Sequence, residues 1–289
     1  MKCLSAGLLR IKRGLIVYAL LLLSVCFPVF GWEIATGIAV TPDNSTLGTA
    51  DNVRVLFTDE TTGLSRTFST VPLIFTLPVN AGNGPAAVRI TDVTVDGFTI
   101  VPVEPPGTQF NIFSGLGGVD PGSNDGPHEA LQVHWIALEE GKHKLPDGTK
   151  LEAGYVDTTT VVASNNSSTW ESVAYQHSYA ATPGLLVDIN TMANEAGGPP
   201  GDVSNPFITA VSRNLSASGA EIALERSQVT TGNAIAQLER LAYMAIEVGS
   251  GSFQPSDGTT EIQYQVLGPD PAEGIRGDTL CDTRQLDQL

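Results

Sequence analysis

"VHWIALEEG", Val133–Gly141, is echoed about a hundred residues later by "AYMAIEVG", Ala242–Gly249. In both, an aromatic residue is followed by an aliphatic, an Ala, a second aliphatic and a Glu, with a Gly two residues further on. The stretch fits three readings: a catalytic motif used twice, a pair of ligand sites, or the trace of a duplicated fold. Its surroundings decide among them.

The echo belongs to a longer self-match. "FSTVPLIFTLPVNAG" (Phe68–Gly82) aligns with "YAATPGLLVDINTMA" (Tyr179–Ala193), pairing Pro72 with Pro183. "AAVRITDVTVDGFTI" (Ala86–Ile100) aligns with "FITAVSRNLSASGAEI" (Phe207–Ile222), pairing Gly97 with Gly219. "KLPDGTKLEAGYV" (Lys144–Val156) aligns with "QPSDGTTEIQYQV" (Gln254–Val266), pairing Asp147-Gly148 with Asp257-Gly258. Four blocks in one order are the signature of duplication. "EIATGIAV" and "LEAGYV" open the two copies, which sets unit one at 32–150 and unit two at 151–260. Residues 261–289 read either as the start of a third copy or as a last strand returning to unit two.

The composition is poor in Lys and rich in Gly, Pro, Thr and Val, residues that favour strands and tight turns. "NVRVLFT", "PLIFTLPV", "AAVRITDVTV" and "FTIVPVEP" are β-branched or alternate with period two, and Gly, Pro or Asn punctuates their ends. The expected fold is all-β: two tandem antiparallel β-sandwich domains. "NAIAQLERLAYMAIE" (Asn233–Glu247) has helical spacing and helix-favouring residues. Its counterpart "LQVHWIAL" suits a strand, so the duplication predicts a strand in both.

The order of blocks resembles the H-type lectin domain, a six-stranded antiparallel sandwich. The resemblance rests on Phe68, Pro72 and Leu73 in an early strand, Val93, Thr94, Gly97 and Phe98 at a middle turn, and Trp135, Ile136 and Ala137 in a late strand. Similar repeats occur in large exported bacterial proteins, some associated with pilus assembly. The resemblance implies galactose-type binding at subunit interfaces, with an aromatic and a His in the loop entering the last strand. Here that loop reads Ser123-Asn124-Asp125-Gly126, and in unit two Thr231-Gly232-Asn233, with neither residue type.

The first 31 residues stand apart. Lys2, Arg10, Lys12 and Arg13 precede an apolar run from Leu15 to Phe30, the pattern of a signal peptide, 1–31. The run is interrupted by Pro28 and is shorter than the ~20 residues of a spanning helix. The expected location is therefore extracellular or at the cell surface. Without this segment the chain carries 11 basic against 31 acidic residues, a formal charge of −20. That excludes nucleic acid and anionic membrane as natural partners. Cys3 and Cys26 leave with the signal, and Cys281 alone cannot build an internal disulfide.

Trp135 and Tyr243 lie in strands with apolar residues at successive positions, which favours core packing over ligand stacking. His134 has no spaced carboxylate or second His, and Glu139 and Glu247 read as strand-end carboxylates facing water. The chain lacks a G-x-S-x-G elbow, an H-E-x-x-H motif and a phosphate-binding Gly loop. The candidate ligand-binding residues are instead Asp120, Asn124, Asp125, His128 and Glu129, in the insertion that lengthens unit one between Gly97 and Trp135. No cofactor is expected. Calcium is the ion such oxygen donors would take, although their spacing departs from the EF-hand pattern.

The expected function is a non-catalytic exported surface module, a structural or adhesive spacer of lectin-like repeats. The alternatives are a carbohydrate-binding module using the loops of unit one and, further back, a secreted carboxylate-pair hydrolase. The partners that fit are a surface glycan, a cell-envelope protein, or further copies in an oligomer.

Overall fold

The computed structural model describes residues 34–42, 52–58, 67–79, 87–103, 130–162, 170–195, 207–226, 235–253 and 262–269. Residues 1–31, expected to be a signal peptide, residues 105–129 and Cys281 lie outside them. The described residues are all-β, with no helix, and Trp32–Leu289 forms one compact unit.

The two echoing stretches become the central strands of two sheets. Strand β6 (Gln132–Leu138) lies between β1 (Ile34–Val40) and β3 (Leu73–Val79), antiparallel to both. Strand β14 (Glu239–Ile246) lies between β8 (Lys150–Thr158) and β11 (Gly184–Ile189), also antiparallel to both. The short strand β7 (Gly141–Lys144) takes the outer edge of β8. Two more sheets repeat a second theme. One has β5 (Gly97–Val103) between β2 (Val53–Leu56) and β4 (Ala87–Thr94). The other has β13 (Gly219–Arg226) between β10 (Glu171–Ala174) and β12 (Ile208–Arg213), with β9 (Val161–Val162) parallel to β13. Finally β15 (Gly249–Phe253) pairs with β16 (Ile262–Val266), as β7 pairs with β8.

Burial explains why a helix-favouring sequence is a strand. Leu241, Ala242, Tyr243, Met244 and Ala245 are all buried in succession. A helix packed on one side would turn some of these five to water, whereas a central strand covered on both faces hides them all. Leu241 and Tyr243 pack with Val173, Ile208, Ile222 and Leu224, while Ala242 and Met244 point the other way. Strand β6 divides likewise. Val133, Trp135 and Ala137 join Phe57, Phe98 and Ile100, and Leu138 joins Ala242 and Met244 in a shared middle core with Leu73, Phe75, Leu151 and Ala153. Three apolar layers thus alternate with four sheets, the middle layer lying between the two sheets that hold the echoing strands.

The repetition extends to individual devices. Gly37 on β1 is paired with Trp135 and Gly154 on β8 with Tyr243. A Cβ at Gly37 would sit 2.5 Å from the Trp135 ring, and one at Gly154 would sit 2.6 Å from the Tyr243 hydroxyl. Each aromatic lies across the bare backbone of its neighbour. Asp92 and Asn214, each five residues before its glycine, have φ of 48° and 50°, a left-handed conformation that Asp and Asn tolerate better than most residues. Thr94 Oγ1 then donates to the Gly97 carbonyl at 3.0 Å, and Ser216 Oγ to that of Gly219 at 2.9 Å. The rings of Phe57 and Phe68 meet edge to face at 4.9 Å, those of Tyr175 and Tyr179 at 5.6 Å.

Gly97 and Gly219 form the tightest of these matched contacts. A Cβ on either would clash with a backbone carbonyl oxygen, of Val55 and Val173 respectively. Backbone cannot rotate away as a side chain can. Gly97→Ala and Gly219→Ala are each expected to lower unfolding free energy by about 1–3 kcal/mol, measured by urea denaturation. An unchanged midpoint in either would show that the carbonyl gives way.

Candidate functional site

The five residues singled out in the sequence, Asp120, Asn124, Asp125, His128 and Glu129, lie outside the described residues. So does the calcium expectation that rested on them. Among the described residues no group of three or more His, Cys, Asp and Glu is arranged to hold a metal ion. His134 is exposed, its ring 3.1 Å from Gln132 Nε2.

The two echoing glutamates are tied to backbone rather than left to water. Glu139 Oε1 accepts from Ser69 N at 2.8 Å, Ser69 Oγ at 2.7 Å and Thr70 N at 3.0 Å. Burial alone would raise its pKa, but these donors hold it below the usual value. Glu247 Oε2 accepts from Lys150 N at 3.2 Å, and its other oxygen lies 3.5 Å from Lys150 Nζ. A third carboxylate, Glu152, is fully buried and accepts from the amides of Gln176 at 2.8 Å and His177 at 2.6 Å. Nearby, burial and the Glu152 charge push the Tyr175 phenol up to about 12 and raise that of Tyr179. These phenols stay neutral at physiological pH and serve packing.

The densest polar constellation lies where the two central sheets meet. Strand β3 is the edge of its sheet, so alternate backbone groups point away from β6. Asn190, at the end of β11, receives Ile74 N on Oδ1 at 2.7 Å and donates Nδ2 to Ile74 O at 2.7 Å. It replaces a neighbouring peptide with its own amide. Two residues on, Asp188 Oδ2 accepts from Thr76 N at 2.8 Å and Thr76 Oγ1 at 2.6 Å. The next outward position is Pro78, which has no N–H to leave unpaired. The edge of β12 is closed by a charged pair. Glu195 Oε1 accepts from Ile208 N at 3.1 Å and from Arg89 Nη2 at 2.8 Å, and the same nitrogen donates to Ile208 O. The Arg89 and Glu195 side chains are 4% and 1% exposed. Removing one partner of such a buried pair typically costs about 3–5 kcal/mol. Arg89 belongs to β4 and Glu195 follows β11, so the pair joins the two halves of the chain.

Two cavities flank this clamp. One, of about 650 Å³, is bordered by Asn52, Asp92, Thr191 and Arg240, with Val71, Pro72 and Met192 as apolar wall. Arg240 is engaged there by both oxygens of Asp157, at 2.9 and 3.0 Å. The other, of about 490 Å³, runs over Ile38, Leu77, His134 and Leu186 to Asp188. The first can take a small polar molecule and the second an apolar group. Neither borders the buried Glu152 and its tyrosines.

Sequence reasoning missed Asp188, Asn190, Arg89 and Glu195. A signal existed: the aligned block places Asp188 and Asn190 where unit one has Leu77 and Val79. Polar residues in one copy of an apolar strand mark a place where that copy meets something the other does not. Compared with protein-family models, curated proteins and solved structures, the chain matches none.

Burial pushes the Asp188 carboxyl up to about 6, against the opposing effect of the Thr76 and Ile189 donors. With an unfolded value of about 3.9, the folded state binds more protons between pH ~4 and ~6, so this group's stabilisation is full below pH ~4 and declines as pH rises through ~6. Unfolding free energies of wild type minus Asp188→Asn are expected to fall by up to about 3 kcal/mol across that window. A flat or rising difference, measured by denaturant titration at each pH, would contradict it.

Proposed function

We propose that the protein is a non-catalytic exported module, a structural or adhesive spacer made of two tandem β-sandwich units at 32–150 and 151–260. The observation that carries this reading is the junction. An apolar layer shared by both central sheets, the Asn190 and Asp188 caps on β3 and the buried Arg89–Glu195 pair join the units into one body. A spacer needs this property, because load or reach is transmitted only if adjacent units do not swivel. The polar side chains of the junction are spent on backbone groups and on each other, which suits a structural role better than turnover. The leader at 1–31 and the charge of −20 on the remainder support export and a surface setting.

The second reading is a carbohydrate-binding module, in keeping with the H-type lectin resemblance. The cavity of about 650 Å³ favours it, since Asn52, Asp92 and Thr191 offer amide, carboxylate and hydroxyl groups beside an apolar wall, the usual mixture of a small-ligand site. Among the described residues no aromatic borders that cavity for a sugar to stack on.

A glycan array with the purified chain, with and without calcium, tests the choice. The spacer reading predicts no reproducible binding in either condition. Binding that survives in the native chain and disappears when residues 105–129 are shortened, or on Asp92→Ala, would replace it with the lectin reading.

A further inference from the structure

The pairing of strands follows a rule that one edge leaves unfulfilled. The strand after each aromatic strand pairs with the strand that comes next: β7 follows β6 and pairs with β8, and β15 follows β14 and pairs with β16. Strands β1 and β8 hold equivalent places, each antiparallel to an aromatic strand and each with a glycine under the ring. The outer edge of β8 carries β7, whereas among the described residues the outer edge of β1 carries no strand. The four-stranded sheet β11-β14-β8-β7 therefore shows what belongs there, and β15 is the other strand of that kind among the described residues.

We propose that the outer edge of β1 is a docking site for a second copy of this chain, whose β15 pairs antiparallel with β1 in the position that β16 holds in the single chain.

The treatment of the two edges of this sheet supports the choice of edge. Natural sheets blunt exposed edges with charge, proline or a covering element. The β3 edge is closed by Asn190, Asp188 and Pro78. The β1 edge, Ile34–Val40 or "IATGIAV", has no charge and no proline, and Ile38 and Val40 are 52% and 60% exposed. Leu77, across β6 on β3, and Leu186 are also exposed and border the same cavity as Ile38. The strand to be displaced, β16, is held by Tyr264, whose hydroxyl lies 2.5 Å from Thr149 Oγ1 and donates to Asp147, and the exchange breaks those contacts. Strand β16 pairs over five residues, and its Gln263 and Gln265 face water. Each copy offers one β1 edge and one β15, so the contact is head to tail and extends beyond two copies unless it closes into a ring. This goes beyond the spacer reading, which stands if the contact proves absent.

The register follows from β7 on β8, where Lys142 lies opposite Glu152. Aligning Gly154 with Gly37 and Gly141 with Gly249 places Ser250 of one copy opposite Ala35 of the next. In a chain whose three cysteines are replaced by serine, Ala35→Cys and Ser250→Cys are introduced singly, mixed and gently oxidised. A mixed disulfide dimer is expected, and a ladder when both substitutions share one chain. Cysteine in place of Thr36, on the opposite face, is expected to give none, and Ile38→Lys to abolish the dimer without changing the unfolding midpoint. Ser250→Cys with Gln265→Cys, opposed within one chain, reports that β15 is folded. Closure of that control without any mixed dimer overturns the proposal. So does association in sedimentation that leaves the thiols introduced by Ala35→Cys and Ser250→Cys unpaired.

Discussion

The structure turns on the backbone of an edge strand. Strand β3 must lie against a second sheet to cover Leu73 and Phe75, yet its outward amides cannot reach a neighbouring strand. A buried, unpaired amide or carbonyl costs about 1–3 kcal/mol, so apolar burial at this junction is worth little unless those groups are satisfied. Asn190 satisfies two of them with one side chain, and Asp188 a third. The same solution recurs at Ile208, where Arg89 takes the carbonyl and Glu195 the amide. Side chains complete sheets that cannot be completed by strands.

That solution explains the doubly apolar character of β14 and of the Leu138 end of β6. Strand β14 faces an outer sheet on one side and the other central sheet on the other, so Leu241–Ala245 has no water-facing row, whereas β6 is covered on both faces only toward Leu138 and turns Gln132 and His134 to water. The aromatic of each echo anchors the outer core, and the aliphatics beside it build the middle one. "VHWIALEEG" and "AYMAIEVG" are thus the walls of a shared layer. Their glutamates end the strands by capping loop amides and a lysine backbone.

Much of this was legible in the sequence. Strand type, including that of Glu239–Ile246 within the helix-prone stretch, followed from its match with the strand at Gln132–Leu138. The matched Gly97 and Gly219, and the pairing of Phe68 with Tyr179, mark equivalent places in space. What self-comparison could not supply was the contact between the matched halves of the chain, because matching blocks report what the halves share. Asp188 and Asn190 differ from Leu77 and Val79 for a tertiary reason, and Arg89 meets Glu195 across 106 residues. No local pattern encodes such a pair. Residues 105–129 differ in length from the matching stretch of the second half, while the junction differs by only a few side chains.

Side chains hold the outward backbone of β3. Hydrogen exchange of the Ile74 and Thr76 amides measures this directly. Both are expected to exchange as slowly as the interior amides of β6, and Asn190→Ala to release Ile74 selectively. Exchange of both at the rate of an unpaired edge strand in the native chain would contradict it.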